Sequence, residues 1–284
     1  MADDREEQRR ARCREVIQSL TLLDDVFMTA VFQDSLPCVD LVLQIILDRP
    51  NLHASRVVTQ DTMKNLRGHD VRLDIHAFAD GQEFNIEIQR AKKGASPRRA
   101  RYHSGIMDAN GLPESADYEQ LPESYVIFIT ETDVLGGGQP LYLIRRTIEG
   151  TGQLFGDGAH IIYVNSSVAD MSTPLGRLMH DFHCVKPEEM CYDVLAERTG
   201  AFKNDEEGAI AMSALWEQLL REEYEQGMER GMERGMERGM ERGTEHAYLS
   251  SIRTMMDKLQ LTAEKAMDLL DIPKAKQGHY KAML

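Results

Sequence analysis

The segment Val71–Arg90, VRLDIHAFADGQEFNIEIQR, restricts the fold more than any other stretch of the chain. Val71, Leu73, Ile75 and Ala77 alternate with Arg72, Asp74 and His76, and Phe84, Ile86 and Ile88 alternate with Asn85, Glu87 and Gln89. A period of two describes strands with one apolar and one polar face. Asp80-Gly81 suits a two-residue turn, in which both positions take positive φ. With that turn, Ala79 pairs with Gln82, Asp74 lies directly across from Glu87, and Arg72 lies across from Gln89. Directly opposed residues have Cβ atoms about 4.5–5.5 Å apart. Two carboxylates at that spacing repel each other unless a cation lies between them. Oxygen donors of this kind suit Mg²⁺, which keeps several waters and completes its shell with substrate phosphate. The plainer alternative is an ordinary hairpin with its polar face in solvent.

Charge is distributed unevenly. The 284 residues include 33 Lys and Arg against 47 Asp and Glu, a net −14 that argues against a general polyanion binder. Residues 89–103, QRAKKGASPRRARYH, nevertheless hold Arg90, Lys92, Lys93, Arg98, Arg99 and Arg101 and no acid, leaving the remainder at −20 against the chain's −14. Such a block suits a phosphate backbone, or else is a solvated helix face balanced by acids elsewhere. It begins directly after Gln89, so a metal site and a phosphate-binding helix would be neighbours.

Hydrophobic residues make up 42% of the chain, enough for a sizeable core. Val39–Leu47 is too short to span a bilayer, and the charged start carries no secretory pattern. The four cysteines, Cys13, Cys38, Cys184 and Cys191, form no CxxC pair. A cytoplasmic protein with no membrane association is expected. Spacing predicts helices over 5–33 and 36–48, strands over 71–90, and a helix over 97–110 opened by Pro97. It also predicts strands at 125–130, 141–148 and 160–165, then helices from Pro174 onward. This order describes an α/β domain over about 1–200, a connecting helix over 201–226, and a helical segment over 244–284. Between them, 227–243 is GMER four times and then Gly243. Glycine costs a helix about 1 kcal/mol each relative to alanine, which favours a linker. The glycines also line one slowly turning stripe along which a second helix could approach, and Arg230 with Glu233 could pair. Helix and linker both stay open, as does self-association through the repeat.

The order Asp74, turn, Glu87-Ile88-Gln89 resembles the PD-(D/E)xK nuclease core, in the form seen in the recombination-promoting nuclease (Rpn) and transposase-like family. Asp25-Val26-Phe27-Met28 with Val31-Phe32 resembles that family's opening helix, and Arg99-Ala100-Arg101-Tyr102-His103-Ser104 its Arg/Tyr helix. Tyr118 and Tyr125–Ile129 resemble the next strand. Met179-His180-Asp181-Phe182 and Glu189-Met190-Cys191-Tyr192 resemble the closing motifs. The resemblance spans roughly residues 20–200. It implies a restriction-endonuclease-like core, a central mixed sheet flanked by helices, with a C-terminal helical tail. It also implies Mg²⁺-dependent (or Mn²⁺-dependent) cleavage of double-stranded DNA. Asp74, Glu87 and the Ile88 carbonyl would ligate the metal, with Asp25 (or, second, Asp24) completing the set. Gln89 stands where the superfamily usually has lysine; an amide can orient water but cannot act as a general base. Lys92, Lys93, Arg98, Arg99, Arg101 and Tyr102 would contact DNA, positioning it without reading its sequence. The rival expectation is a catalytically silent nuclease-like module that binds DNA or protein.

His180, His183, Cys184 and Cys191 have the residue types of a zinc site. On a continuous helix Cys184 would turn away from the face shared by His180 and His183, so helix packing is the favoured reading. Gly136-Gly137-Gly138 lacks the Lys-Ser/Thr of a phosphate loop and reads as a plain loop.

Overall fold

The computed structural model describes residues 14–65 and 68–284, with the backbone only for Lys92, Lys93 and a set of residues between 220 and 241. Expectations placed on Cys13, on the side chains of Lys92 and Lys93, and on an Arg230–Glu233 pair lie outside the described residues.

Asp80 and Gly81 form the turn, with φ of 50° and 75°. They join β2 (Val71–Ala79) to β3 (Gln82–Gln89) in the register the turn predicts, Ala79 on Gln82 through Ile75 on Ile86. A strand the apolar pattern does not announce, β1 (Ala54–Met63), pairs antiparallel with β2. It forms the sheet edge and is only half buried, so polar residues interrupt its alternation. The chain then crosses through α3 (Pro97–Gly111) to β4 (Ser124–Thr130), parallel to β3. β6 (Ala159–Asn165) lies parallel to β4, and β5 (Leu141–Ile144) pairs antiparallel with β6. The result is a six-stranded mixed sheet in the order β1-β2-β3-β4-β6-β5. β5 is shorter than the expected 141–148. Beyond Ile144 the chain leaves β6 and turns back on itself, with Thr147 bridging Leu154.

Helices cover both faces. α1 (Asp25–Phe32), α2 (Leu36–Leu47), α4 (Pro174–His183) and α5 (Asp193–Asn204) supply Phe27, Phe32, Val42, Leu43, Phe182 and Leu195 to the larger core. Fully burying side chains of this size contributes about 1.5–3 kcal/mol each. α3 covers the other face over Leu73, Val126, Phe128 and Tyr163. The expected single helix over 5–33 is interrupted. Residues 14–19 are helical, then Asp24 Oδ2 accepts hydrogen bonds from Thr21 N at 2.8 Å and Thr21 Oγ1 at 3.1 Å before α1 begins. Such side-chain bonds offer the backbone an alternative to the helix. In the 133–142 loop the N–H groups of Leu135, Gly136 and Gly138 donate to Asp133, so this glycine run holds its own carboxylate.

The chain divides into two compact units, Met1–Glu217 and Gln218–Leu284. Helix α6 (Glu206–Leu259) includes the whole GMER repeat. The helix, not the linker, is therefore the state of this segment, and Met228, Met232, Met236 and Met240 stand exposed along it. In the second unit, α7 (Ala263–Leu269) and α8 (Lys274–Met283) form a small core with Ile252, Met267, Ile272 and Tyr280.

His76 joins the first three strands. Its Nδ1 lies 2.7 Å from Asp61 of β1 and its Nε2 2.7 Å from Glu83 of β3, and the ring is buried. Burial disfavours the imidazolium, but Glu83 and Asp61 outweigh it and raise the pKa above the ordinary 6.5. A folded-state pKa raised in this way adds stability that is complete below about pH 6.5 and fades as pH rises through the folded value. Urea unfolding across that range is expected to show falling stability for the native chain. In His76→Phe that slope is expected to flatten, with an overall loss of about 3 kcal/mol from two stranded carboxylates. An unchanged slope in the variant would show that the imidazolium is not responsible.

Candidate functional site

β3 is buried on both faces, which an exposed polar hairpin would not be. Phe84, Ile86 and Ile88 enter the larger core. Glu83, Asn85 and Glu87 are 4%, 0% and 0% exposed. Glu87 and Asn85 lie beneath α3, which Ser96 caps by accepting from Arg99 N and Pro97 opens. Its Arg99 and His103, four residues apart, share the face that looks down on β3. Arg99 Nη2 donates to Glu87 Oε2 at 3.1 Å, and His103 Nδ1 lies 3.5 Å from Glu87 Oε1. Arg99 Nε donates to His103 Nε2 at 3.2 Å. With Nε2 accepting, a neutral His103 carries its proton on Nδ1, where the Asn85 amide lies 3.1 Å away. The structure sets the amide nitrogen there, and rotating the amide by 180° would bring its unpartnered oxygen onto that proton.

Asp74 sits where the hairpin opens. The paired ladder between β2 and β3 ends at Ile75 and Ile86. Beyond it, side chains replace the ladder: Ile88 N donates to Asp74 Oδ2 at 3.0 Å, and Asp74 N to Glu87 Oε1 at 3.4 Å. The expected single apolar face of β2 also breaks at this residue. Ile75 and Ala77 join the larger core, whereas Val71 and Leu73 join the cluster under α3. Opposite this point in β1, Gln60, between the partners of Leu73 and Ile75, takes a left-handed φ of 54°. A locally irregular strand increases twist and re-aims the side chains beside it.

Asp25 stands in the first turn of α1, its Oδ1 accepting from Gln60 Nε2 at 3.1 Å. Burial first, then the carboxylates of Glu87 and Asp25, hold the Asp74 carboxyl well above the usual carboxylate range, against the lowering effects of Ile88 N–H and Arg99. Asp24, the alternative to Asp25, is engaged elsewhere, with Thr21 and with Arg90. Gln89 lies beside the cluster, its Oε1 3.5 Å from Arg99 Nη1. Gly94 makes room for it, since a Cβ there would fall 1.9 Å from that oxygen.

The basic helix divides its labour. Arg99, expected on the DNA-facing side, instead points inward to Glu87, Gln89 and His103. Arg98 and Arg101 are exposed and make no ion pair among the described residues. The Tyr102 hydroxyl donates to the His69 carbonyl at 2.7 Å and accepts from Asn65 Nδ2 at 2.9 Å. Asn85 and His103 were not candidates on sequence grounds. The available signals were strand parity, which puts Asn85 on the Glu87 face, and the four-residue step from Arg99 to His103.

Comparison of the chain with protein-family models, with curated proteins and with solved structures gave no match. Fold and site together define an α/β protein with a six-stranded mixed sheet flanked by helices and a cluster of carboxylates around the buried Glu87 at the open end of its central hairpin. Among the described residues no single helix is long and apolar enough to cross a membrane.

The raised Asp74 pKa carries a stability cost with a definite sign. Ionising the carboxyl destabilises the fold progressively as pH rises from the ordinary value of 3.8 through the folded one. Asp74→Asn, which keeps an acceptor for Ile88 N–H, is therefore expected to raise the Tm of the metal-free protein at neutral pH. For a unit of this size each kcal/mol gained is worth roughly 2–4 °C. Calorimetry with and without chelator checks this; an equal or lower Tm would show that the carboxylates are not in conflict.

Proposed function

We propose that the chain is a metal-dependent endodeoxyribonuclease of the PD-(D/E)xK type, similar to the recombination-promoting and transposase-like nucleases. The observation that carries this reading is the convergence of Asp74, Glu87 and Asp25, where burial and the other two carboxylates hold the Asp74 carboxyl above the usual carboxylate range. A carboxylate cluster that cannot fully ionise alone is relieved by a cation. Every donor in the set, the Ile88 carbonyl included, is oxygen, which fits Mg²⁺ or Mn²⁺. Asp74, Glu87, Ile88 and Asp25 would hold the ion. Bound there, the ion would lower the pKa of water and stabilise charge on a phosphodiester undergoing in-line attack.

The protein's own groups do the rest. The exposed Arg98 and Arg101 would hold backbone phosphates of double-stranded DNA. Gln89 stands beside the cluster, where its amide can orient a water. Arg99 fixes one Glu87 oxygen, so that carboxylate keeps a single orientation. His103 and Asn85 brace Arg99 and Glu87 from below.

Nicking of supercoiled plasmid at low salt, with Mg²⁺ or Mn²⁺ against chelator, tests the reading. Nicking is expected to need metal, to fall by about 100-fold or more in Glu87→Gln and Asp74→Asn, and to weaken steeply with salt. Arg98→Ala and Arg101→Ala should each reduce the salt slope of DNA binding by about one. No nicking, or equal nicking by the Glu87 variant, would reject a hydrolase acting through these carboxylates.

A second reading, a catalytically silent module that binds DNA or protein and self-associates through its repeat helix, is favoured by Gln89 and by the Arg99 guanidinium already on Glu87. Gln89→Lys separates the two. Cleavage gained from an inactive chain indicates a degraded site, and cleavage lost from an active one indicates a functional glutamine.

A further inference from the structure

A second cluster of ligand-type side chains lies in the same unit, at the junction of α4 and α5. Cys184 is the first residue past the end of α4. Its backbone is extended (φ −66°, ψ 129°) and turns the chain out of the helix one residue after His183. Its Sγ lies 3.5 Å and 3.6 Å from the two ring nitrogens of His180. The chain then makes a short turn over Pro187–Glu189 and returns Cys191 to the same ring, Sγ 3.7 Å from Nδ1. Asp181 Oδ1 lies 3.2 Å from that nitrogen. His183 is not part of the group and contacts Ser166 Oγ at 2.9 Å.

These separations match a tetrahedral zinc site. With Zn–S near 2.3 Å and Zn–N near 2.0–2.1 Å, bound sulfur and nitrogen atoms lie about 3.6 Å apart, and nitrogen and carboxylate oxygen about 3.3 Å apart. Two thiols with an imidazole and a carboxylate select zinc over Mg²⁺ or Ca²⁺. Charge balance points the same way. Asp181 is fully buried and accepts from Cys191 N at 2.7 Å and Tyr192 N at 2.9 Å. Among the described residues no Lys or Arg forms an ion pair with it; its one ion-pair partner is His180. A buried carboxylate beside two thiols is short of one positive centre.

We propose that His180, Cys184 and Cys191, with Asp181 as the fourth donor, form a structural zinc site that pins the end of α4 to the start of α5. As zinc binds, the two thiols give up their protons to solvent, and the His180 ring turns so that one nitrogen faces the ion. The site is closed by four protein donors, as structural zinc sites are.

The test is the metal content of the full chain, purified without chelator, together with cobalt(II) replacement. About one zinc per chain is expected. The cobalt form should show a thiolate-to-cobalt charge-transfer band and the visible bands of tetrahedral cobalt. Cys184→Ser and Cys191→Ser should each lose the thiolate signature in part and weaken zinc binding by more than the roughly 10–100-fold seen when only an outer partner is removed. Cys38→Ser, at a buried thiol bonded to the Val194 carbonyl, should change neither. Should a serine variant fail to fold, the spectrum of the native chain still decides, because the Asp74 and Glu87 carboxylates cannot produce a thiolate band. Absence of both zinc and the band, or a Cys184–Cys191 disulfide in the freshly purified chain, overturns the site.

Discussion

Glu87 has no exposed surface, and its carboxylate has to be compensated where it stands. Water cannot do it, so the fold brings Arg99 down from α3, and Arg99 in turn is held by His103. Stranding one partner of such a buried pair costs about 3–5 kcal/mol, a large share of the stability of any domain. The crossover from β3 to β4 is therefore held by more than the apolar contacts of Ala100 and Met107. One ion pair sets how α3 lies over the sheet, and with it which arginines remain outside. Arg98 and Arg101 stand exposed on either side of Arg99.

The same interaction shapes the candidate site. A carboxylate already engaged on one oxygen offers the other in a fixed direction, toward Asp74. The two strands part at that residue, beside the left-handed Gln60 of β1. Asp74 is held in conflict with its neighbours by the surrounding core. Proteins keep such local conflicts where a ligand relieves them. The zinc proposal rests on a comparable shortage of positive charge, met there by thiols and an imidazole.

Much of this was legible in the sequence because it depends on short-range rules. Asp80-Gly81 fixed the register from Ala79 on Gln82 to Ile75 on Ile86 through positive φ, and the paired ladder stops one step short of Asp74 and Glu87. Pro97 marked the start of α3. The unread parts depend on tertiary partners. β1 has weak alternation because it is an edge. The polar face of β3 looks solvated until α3 covers it, so Asn85 and His103 acquire meaning only together. Arg99 resembles its neighbours in sequence and differs from them only in the face it occupies. Cys184 gains its neighbours only when the turn over Pro187–Glu189 returns Cys191 to the His180 ring. The repeat helix was ambiguous on propensity alone, since its glycines disfavour what the flanking residues support.

The sheet has two edges, and neither is a clean template. β1 carries an irregularity between Ala54 and Arg56 and a left-handed residue at Gln60, and β5 offers only four residues. Edges interrupted in this way resist strand addition from a neighbouring chain. A protein built so is protected against sheet-to-sheet aggregation at both ends. Any association it makes has to be read through side chains, not through shared backbone hydrogen bonds, and is correspondingly open to tuning by single substitutions.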